Sequence, residues 1–160
     1  MEEKQTNSPA NLRIFEEVVN FLRIDNWPFV QIPEQPILQT TFQGDNGQWS
    51  CFARVRVEQQ QFVFYSICPV NAPENKRLVI AEFLTRANSA IVIGNFELDF
   101  NDGEIRYKTS IDVEGDRITS ALIKQLIYAN VSIMDEYLPG IMAVIYGNLS
   151  PQEAIAQIEG

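Results

Sequence analysis

The chain has 160 residues, of which 46% are hydrophobic, and a formal net charge of −9. A domain of this size buries about 68–70% of the surface of its unfolded chain, so it needs neither a disulfide nor a metal ion to fold. The hydrophobic fraction excludes a disordered chain. The negative charge, with only 12 Lys and Arg and no dense basic run, argues against nucleic acid as a partner.

The chain contains no histidine, and its two cysteines are Cys51 and Cys68. Without histidine there is no Ser-His-Asp or Cys-His nucleophile and no histidine-ligated metal site. Two cysteines without CxxC spacing cannot make a tetrahedral metal site, and no P-loop or GxGxxG motif occurs. We therefore predict a protein that is not an enzyme, with no cofactor and no catalytic or metal-binding residues.

Residues 1–8, MEEKQTNS, are polar and are predicted to be a disordered lead-in to a single domain over residues 9–160. They lack the apolar core of a secretory signal. The longest uncharged apolar segment, residues 137–149, contains Pro139 and Gly140 and is shorter than the ~20 residues that a membrane span requires. These features predict a cytoplasmic protein that does not bind membranes.

The first helix is expected to begin at Ser8 and Pro9, because Ser caps helix N-termini and Pro is tolerated in the first turn. The chain should leave this helix at Asn26-Trp27-Pro28. Apolar residues recur at helical spacing between these points and predict one buried face: Leu12, Phe15, Val18, Val19 and Leu22.

From residue 36 to residue 68 the hydrophobic period changes to two, which is typical of strands. Turn signals at residues 44–47 and 58–61 divide this region into three strands of about 36–43, 48–57 and 62–68. We expect the three strands to form an antiparallel meander.

The register follows from pairing the residues that flank each turn, Gln43 with Gln48 and Val57 with Phe62. Both hairpins then place the same side chains of the middle strand on one face, as a buried sheet face requires. The two cysteines are expected to be adjacent, reduced thiols on the core side. The predicted pairs on that face are Phe42 with Trp49, Thr40 with Cys51, Leu38 with Ala53, Val55 with Phe64, Ala53 with Ser66 and Cys51 with Cys68.

A second helix is predicted from Pro73-Glu74 to about Asn88, with one apolar face: Val79, Ile80, Phe83, Leu84 and Ala87. The strand alternation then returns in FELDFNDGEIRYK, Phe96 to Lys108, where four carboxylates surround a glycine. A turn at residues 101–104 would place opposite charges across a hairpin, with Asp99 opposite Arg106 and Glu97 opposite Lys108. We therefore predict a charge-paired, solvent-exposed hairpin.

The carboxylates of this stretch do not match a calcium loop. In an EF-hand loop that begins at Asp99, Gly103 stands where Asp or Asn is required, Glu104 where Gly is required, and Ser110 where Glu is required. Paired-carboxylate glycosidase chemistry is disfavoured further, because it needs a sugar cleft and one acid kept dry, whereas Glu97 and Asp99 alternate on an exposed strand beside basic residues. The pattern predicts no metal site here.

A long apolar helix is predicted after Val113, with Thr119 or Asp116 as its N-cap. Pro139-Gly140 is expected to bend or restart it, so that residues 141–145 form a separate turn that ends at Gly147. Ser150-Pro151-Gln152-Glu153 is a capping box that starts a short last helix. The resulting order is α-β-β-β-α-β-β-α plus a short C-terminal helix, which predicts an α+β fold of two layers, a five-stranded antiparallel sheet with helices on one face.

This order of elements over residues 10–155 resembles the YbjN family of small bacterial proteins, whose fold is similar to that of type III secretion chaperones. The most characteristic part is NSAIVIGNFELDFNDGEIRYKTSIDVEG, Asn88 to Gly115, followed by the long helix with Asp135, Pro139 and Gly147. The resemblance implies a non-enzymatic protein, described as a sensory transduction regulator, that forms a homodimer and binds other polypeptides. It implies no catalytic residues.

Three functions are compatible with these observations: a chaperone-like or regulatory protein-binding module, a small-molecule sensor or enzyme with a pocket under the long helix near Trp27, Tyr107 and Tyr128, and a structural subunit of a larger complex. The first fits the absence of nucleophile–base pairs and metal ligands. The meander also predicts a protein-interaction face opposite the core, because apolar and arginine side chains alternate outward there. Its predicted residues are Phe52, Arg54, Arg56, Val63, Tyr65 and Ile67.

Overall fold

The computed structural model describes the backbone of residues 9–160 and the side chains from residue 12 onward. The predicted lead-in and the N-cap at Ser8 lie outside the described residues. Four α-helices are present in the described part: α1 Pro9–Ile24, α2 Arg77–Ala90, α3 Ser120–Tyr146 and α4 Pro151–Glu159. A 3₁₀ turn, Glu74–Lys76, precedes α2, and the strands are β1 Phe29–Gln31, β2 Ile37–Gln43, β3 Gln48–Arg56, β4 Gln61–Ile67, β5 Asn95–Leu98 and β6 Ile105–Asp112.

The strands form one antiparallel sheet in the order β1-β2-β3-β4-β6-β5. The α+β class is confirmed, but the predicted strand number of five is wrong, because β1 adds a sixth strand at the edge. This strand is only three residues long and lies between Pro28 and Pro33, so it is too short to show an alternating pattern.

The predicted register is correct for β2 and β3, where Gln43 pairs with Gln48. It is wrong by two residues for β3 and β4, because Val55 rather than Val57 pairs with Phe62. The turn lies one residue earlier than predicted, and Gln61 is a strand residue. The predicted sheet face is unchanged, because a shift of two keeps the side-chain alternation.

The side chain of Gln61 explains why it belongs to β4. Its amide oxygen accepts a hydrogen bond from Arg56 at 3.0 Å, and its amide nitrogen donates to Asp112 at 2.9 Å. These bonds connect three neighbouring strands, since Arg56 pairs with Gln61 and Gln61 pairs with Asp112. The sequence of the β3–β4 hairpin alone does not indicate that Asp112 is a partner of Gln61.

The FELDFNDGEIRYK hairpin also turns one residue earlier than predicted, so that Leu98 pairs with Ile105 and Glu97 with Arg106. The predicted pairings of Asp99 with Arg106 and of Glu97 with Lys108 are therefore wrong, although Glu97 still forms an ion pair with Lys108. Asp99 instead accepts the backbone N–H of Asn101 at 2.8 Å, and Asp102 accepts that of Glu104 at 2.8 Å. These two carboxylates shape the loop.

Helix α3 continues through Pro139, contrary to the predicted break. Proline cannot donate to the carbonyl four residues earlier, which is that of Asp135. The side-chain amide of Asn46 donates to this carbonyl at 3.0 Å, so the unpaired acceptor is satisfied from the β2–β3 turn. A Cβ at Gly140 would lie 2.5 Å from Ile158 and 2.6 Å from Phe83, so glycine is required here for close packing of the helices.

The buried side of the sheet contacts the helices through an apolar core that includes Phe62, Phe64 and Tyr107. Helix α3 contacts β4 and β6, α1 contacts β3 and α3, and α4 packs against α2 and α3. The predicted caps are present at two helices, since Thr119 accepts from Leu122 and Ser150 from Glu153.

Buried Asn130 joins α3 to the sheet. Its side-chain amide donates to the carbonyls of Phe64 at 2.8 Å and Tyr107 at 3.1 Å, and to the hydroxyl of Thr109 at 3.2 Å. Thr109 in turn donates to the carbonyl of Leu126 at 2.9 Å. These polar contacts fix the position of α3 over β4 and β6, because the buried amide group of Asn130 finds its acceptors only in this arrangement.

Candidate functional site

The candidate site is the sheet face opposite the core, where the outward side chains of β3 and β4 are joined by those of β6. The structure places all six predicted interface residues on this face, since they alternate with the buried Ala53, Val55 and Phe64. We call this surface the outer sheet face. Its six predicted members are Phe52, Arg54, Arg56, Val63, Tyr65 and Ile67.

The corrected register changes the neighbours within the outer sheet face. Arg54 pairs with Val63, not with Tyr65 as predicted. Tyr65 pairs with Phe52 on one side and with Lys108 on the other. The apolar and basic residues are therefore mixed across neighbouring strands.

Strand β6 contributes basic residues to this face that the sequence analysis did not include. Ile67 pairs with Arg106, Tyr65 with Lys108, and Val63 with Ser110. Their outward alternation is visible in the sequence, but their proximity to the meander depends on the β4–β6 pairing, which no local signal indicates. The face is thus wider than predicted and contains four cations rather than two.

Only part of the apolar area of the outer sheet face is available for binding. Val63 is 8% exposed, whereas Phe52, Tyr65 and Ile67 are half-buried. The guanidinium of Arg106 lies over the ring of Tyr65, 4.8 Å from its centre, in the geometry of a cation–π contact. Arginine and aromatic side chains of this kind are enriched at the centres of protein interfaces.

Glu97 neutralises part of the positive charge on β6. Its carboxylate accepts from Arg106 at 2.6 Å and forms a second ion pair with Lys108. Burial acts to raise the pKa of Glu97, but the hydrogen bonds from Lys108 and Arg106 outweigh it, so the pKa lies below its ordinary value. One carboxylate is thus shared by two cations.

Arg54 and Arg56 are both exposed and have few partners. Arg56 donates to the neutral amide of Gln61, and Arg54 forms neither an ion pair nor a hydrogen bond with any residue that the structure describes. The nearest carboxylate along this row is Asp112, which is bonded to Gln61. Arg54 is therefore free to bind an anionic group, and Arg56 can do so with its remaining N–H donors.

Two shallow depressions lie on the outer sheet face on either side of Arg54 and Tyr65. One, of about 440 Å³, is lined by Arg56, Lys108 and Asp112 among others, and the second, of about 480 Å³, by Ile37, Phe52, Arg106 and Glu104 among others. Arg54 and Tyr65 line both. Such open depressions, lined by both polar and apolar side chains, suit an extended peptide better than an enclosed small molecule.

Both edges of the sheet are protected against the addition of another strand. At one edge, β1 is three residues long and lies between Pro28 and Pro33. At the other, the side-chain amide of Asn88 accepts the backbone N–H of Phe96 at 2.7 Å and donates to its carbonyl at 3.2 Å. Short strands, flanking prolines and covered edges all oppose edge-to-edge pairing, so the outer sheet face is the more accessible surface of the sheet.

The aromatic residues of the alternative small-molecule site do not form one group. Trp27 and Tyr128 are adjacent, with ring centres 6.0 Å apart, and both donate to the carboxylate of Asp25. Tyr107 is buried in another cluster, where it packs against Phe96. The side chains of Trp27 and Tyr107 are core packing, because they are 9% and 0% exposed.

The two cysteines are buried and reduced, but they are not a cross-strand pair. Cys51 pairs with Ser66, and Cys68 lies beyond the end of β4. Burial raises the pKa of the Cys51 thiol to about 12 and that of Cys68 to about 11. Thiols in such surroundings are poor nucleophiles.

Within residues 9–160, no three His, Cys, Asp or Glu side chains are grouped in a way that could hold a metal ion. In the same part of the chain, no helix combines the length and the apolar character needed to cross a membrane.

Comparison with known proteins places residues 15–142 in a family model, YbjN, described as "Putative bacterial sensory transduction regulator". Three solved structures share the fold. YbjN of E. coli, described as "a putative transcription regulator", is 12% identical, with a TM-score of 0.58 over 76% of this chain and 89% of that chain.

A chain of the HopA1–SchA chaperone–effector complex is 14% identical, with a TM-score of 0.55 over 81% of this chain and 96% of that chain. A chain of the ExsC–ExsE complex is 10% identical, with a TM-score of 0.52 over 81% and 93%. None of the curated protein sequences matches the chain significantly. The resemblance to YbjN and to secretion chaperones is confirmed for the fold.

Proposed function

Because the chain belongs to the YbjN family, we propose that it is a non-enzymatic protein-binding module with a regulatory or chaperone-like role. We propose that residues 9–160 act as one domain of two layers, in which the helices cover one face of the sheet and leave the other open. The proposal also includes a cytoplasmic location and self-association as a homodimer.

The observation that carries this proposal is the composition of the outer sheet face. It combines half-buried Phe52, Tyr65 and Ile67 with exposed Arg54 and Arg56, on a sheet whose two edges are protected. Aromatic and arginine side chains supply most of the energy of many protein interfaces. The chaperone–effector complex among the structural neighbours supports a polypeptide partner, because it has the same fold.

Self-association has a separate candidate surface near the start of α2. Leu78 and Phe100 are 79% and 54% exposed, and Arg77 joins the two segments by donating to the carbonyl of Phe100 at 3.1 Å. A symmetric dimer formed through the outer sheet face would bring together two surfaces that each carry more cations than carboxylates, and like charges in an interface are unfavourable. We therefore assign the outer sheet face to a different polypeptide.

The test is the double substitution Tyr65→Glu with Ile67→Glu. It should weaken association with the native partner by more than about 2 kcal/mol, because two apolar contacts are replaced with charges in the centre of the face. The matched control, Gln152→Glu with Gln157→Glu, adds the same charge on the exposed side of α4.

Partner capture from the native host, light scattering and circular dichroism should be measured on both variants and on the parent. We expect a folded double variant that has lost its partner and a control that retains it. Unfolding of the Tyr65/Ile67 variant would show that this face is core, and unchanged partner capture would show that it is not the binding surface.

A further inference from the structure

The outer sheet face differs in charge from the rest of the protein. The chain as a whole carries a formal net charge of −9. On the outer sheet face, four cations, Arg54, Arg56, Arg106 and Lys108, are accompanied by the carboxylates Glu97 and Asp112, with Glu104 at the border. A basic surface on an acidic protein attracts an acidic partner to one place and repels it from the remainder.

The unpaired positive charge is concentrated on β3. Arg106 and Lys108 share Glu97, whereas Arg54 and Arg56 form no ion pair with a described residue. Two positions apart on one strand, their Cα atoms are separated by about 7 Å. Carboxylates at positions i and i+2 of an extended segment have the same spacing, so such a segment, lying along β3, can pair with both guanidinium groups.

The apolar neighbours of Arg54 provide contacts for the rest of the segment. Arg54 is flanked by Ile37 on β2 and by Val63 on β4, and the next row of the face contains Phe52 and Tyr65. An apolar side chain next to the acidic pair would lie in the depression lined by Ile37, Phe52 and Tyr65. The side chain would shield the ion pairs from water and strengthen them.

The charge distribution favours an acidic polypeptide over the other anionic partners. A nucleic acid carries charge along its whole length, so it would extend beyond this small basic area into the field of an acidic protein. A second copy of this chain, docked through the same face, would bring together two surfaces that each carry more cations than carboxylates. A short acidic segment avoids both penalties.

Building on the protein-binding role proposed above, we propose that the outer sheet face recognises an extended acidic segment of a partner protein. Two carboxylates, two residues apart, pair with Arg54 and Arg56, and an adjacent apolar side chain packs on Phe52 and Tyr65.

The probe is a short fluorescent peptide in which Glu alternates with Thr around one central Phe. Peptides with Gln or with Lys in place of Glu, and a single-stranded oligothymidylate of matched charge, serve as comparisons. Binding is followed by fluorescence anisotropy at low and at high salt. We expect the Glu peptide to bind at least about tenfold more tightly than the Gln peptide, to lose affinity in salt, and to bind more tightly than the oligonucleotide.

The variant that tests the site is Arg54→Glu with Arg56→Glu, which should weaken binding of the Glu peptide by at least about tenfold. Its control, Arg13→Glu with Arg117→Glu, reaches the same net charge at exposed residues outside the face and should stay within about twofold of the parent. The milder Arg54→Gln, whose fold is checked by circular dichroism, replaces the double variant if that one does not fold, and it should still weaken binding.

Several results would overturn the inference: no binding of the Glu peptide at millimolar concentration, equal binding of the Gln peptide, preference for the Lys peptide or the oligonucleotide, or equal loss in both charge-reversal variants. These outcomes are distinct from failure of the protein-binding role. If Tyr65→Glu with Ile67→Glu abolishes capture of the native partner while the Glu peptide does not bind, the face binds protein but not through acidic residues.

Discussion

Asn130 allows a quantitative test of how α3 is attached to the sheet. Its amide nitrogen donates to two sheet carbonyls and to Thr109, and its oxygen has no partner among the described residues. Each net hydrogen bond contributes about 1 kcal/mol. The amide nitrogen has only two hydrogens to share among these three acceptors, so Asn130→Ala removes the equivalent of two hydrogen bonds and should lower the free energy of unfolding by about 2 kcal/mol.

Asn130→Asp should lower the free energy of unfolding by more than Asn130→Ala does, and the size of this loss should depend on pH. The carboxyl group would be buried beside the carbonyl oxygens of Phe64 and Tyr107, which disfavours its charged form and raises its pKa in the folded state. When the folded-state pKa is raised, the variant keeps its stability at pH values below the unfolded-state pKa, near 3.9, and loses stability as the pH rises through the folded-state pKa. A rise of about two units corresponds to about 2.7 kcal/mol lost by pH 7.

The assay is urea unfolding, followed by circular dichroism, of the parent and both variants at about pH 4 and about pH 7. The destabilisation of Asn130→Asp relative to Asn130→Ala should grow between the two pH values. An aspartate variant that folds only at the lower pH agrees with this expectation. The reasoning is refuted if the difference in unfolding free energy between the two variants is the same at both pH values. It is also refuted if Asn130→Ala lowers the free energy of unfolding by less than about 0.5 kcal/mol.

Three further predictions concern the turn, the thiols and the acidic hairpin. Asn46→Ala should lower the free energy of unfolding by about 1 kcal/mol in the parent, and by much less when Pro139 is also replaced with Ala. A double-mutant cycle of unfolding free energies measures this difference. Equal losses in the two backgrounds would contradict the hydrogen bond from Asn46 to the carbonyl that Pro139 leaves free. Because Cys51 and Cys68 are buried, their thiols should react with a maleimide only on unfolding, and rapid labelling of the folded protein would disprove their burial. Burial also raises the pKa of both thiols, so the free energy of unfolding should fall as the pH rises above about 8.5, the unfolded-state pKa. Millimolar calcium or magnesium should leave the melting temperature unchanged, whereas a rise of several degrees that Asp102→Ala abolishes would indicate a metal site.

Apart from the short strand β1, the element order and the buried sheet face were predictable because they follow from periodicity, which acts over a few residues. The β2–β3 register and the caps at Thr119 and Ser150 are equally local and are confirmed. The other two hairpin registers depend on single-residue turn positions. In the first, the position of Gln61 is fixed by Asp112, about fifty residues further along the chain.

Other features could not be predicted because their causes are tertiary. Pro139 and Gly140 are typical of a helix end, yet Asn46 satisfies the freed carbonyl and the small glycine admits Phe83 and Ile158. For the same reason, the basic residues of β6 were missing from the predicted interface. Only the pairing of β4 with β6 brings Lys108 beside Tyr65.

The most direct test of the binding role is to place a photo-crosslinking phenylalanine analogue at position 65 and to irradiate the native host cells. The same analogue at the exposed Thr85 of α2 is the control. We expect position 65, but not position 85, to form a covalent product with another protein through an extended segment, identified by mass spectrometry. No product at position 65, or the same products at both positions, would contradict the claim that the outer sheet face is the binding surface.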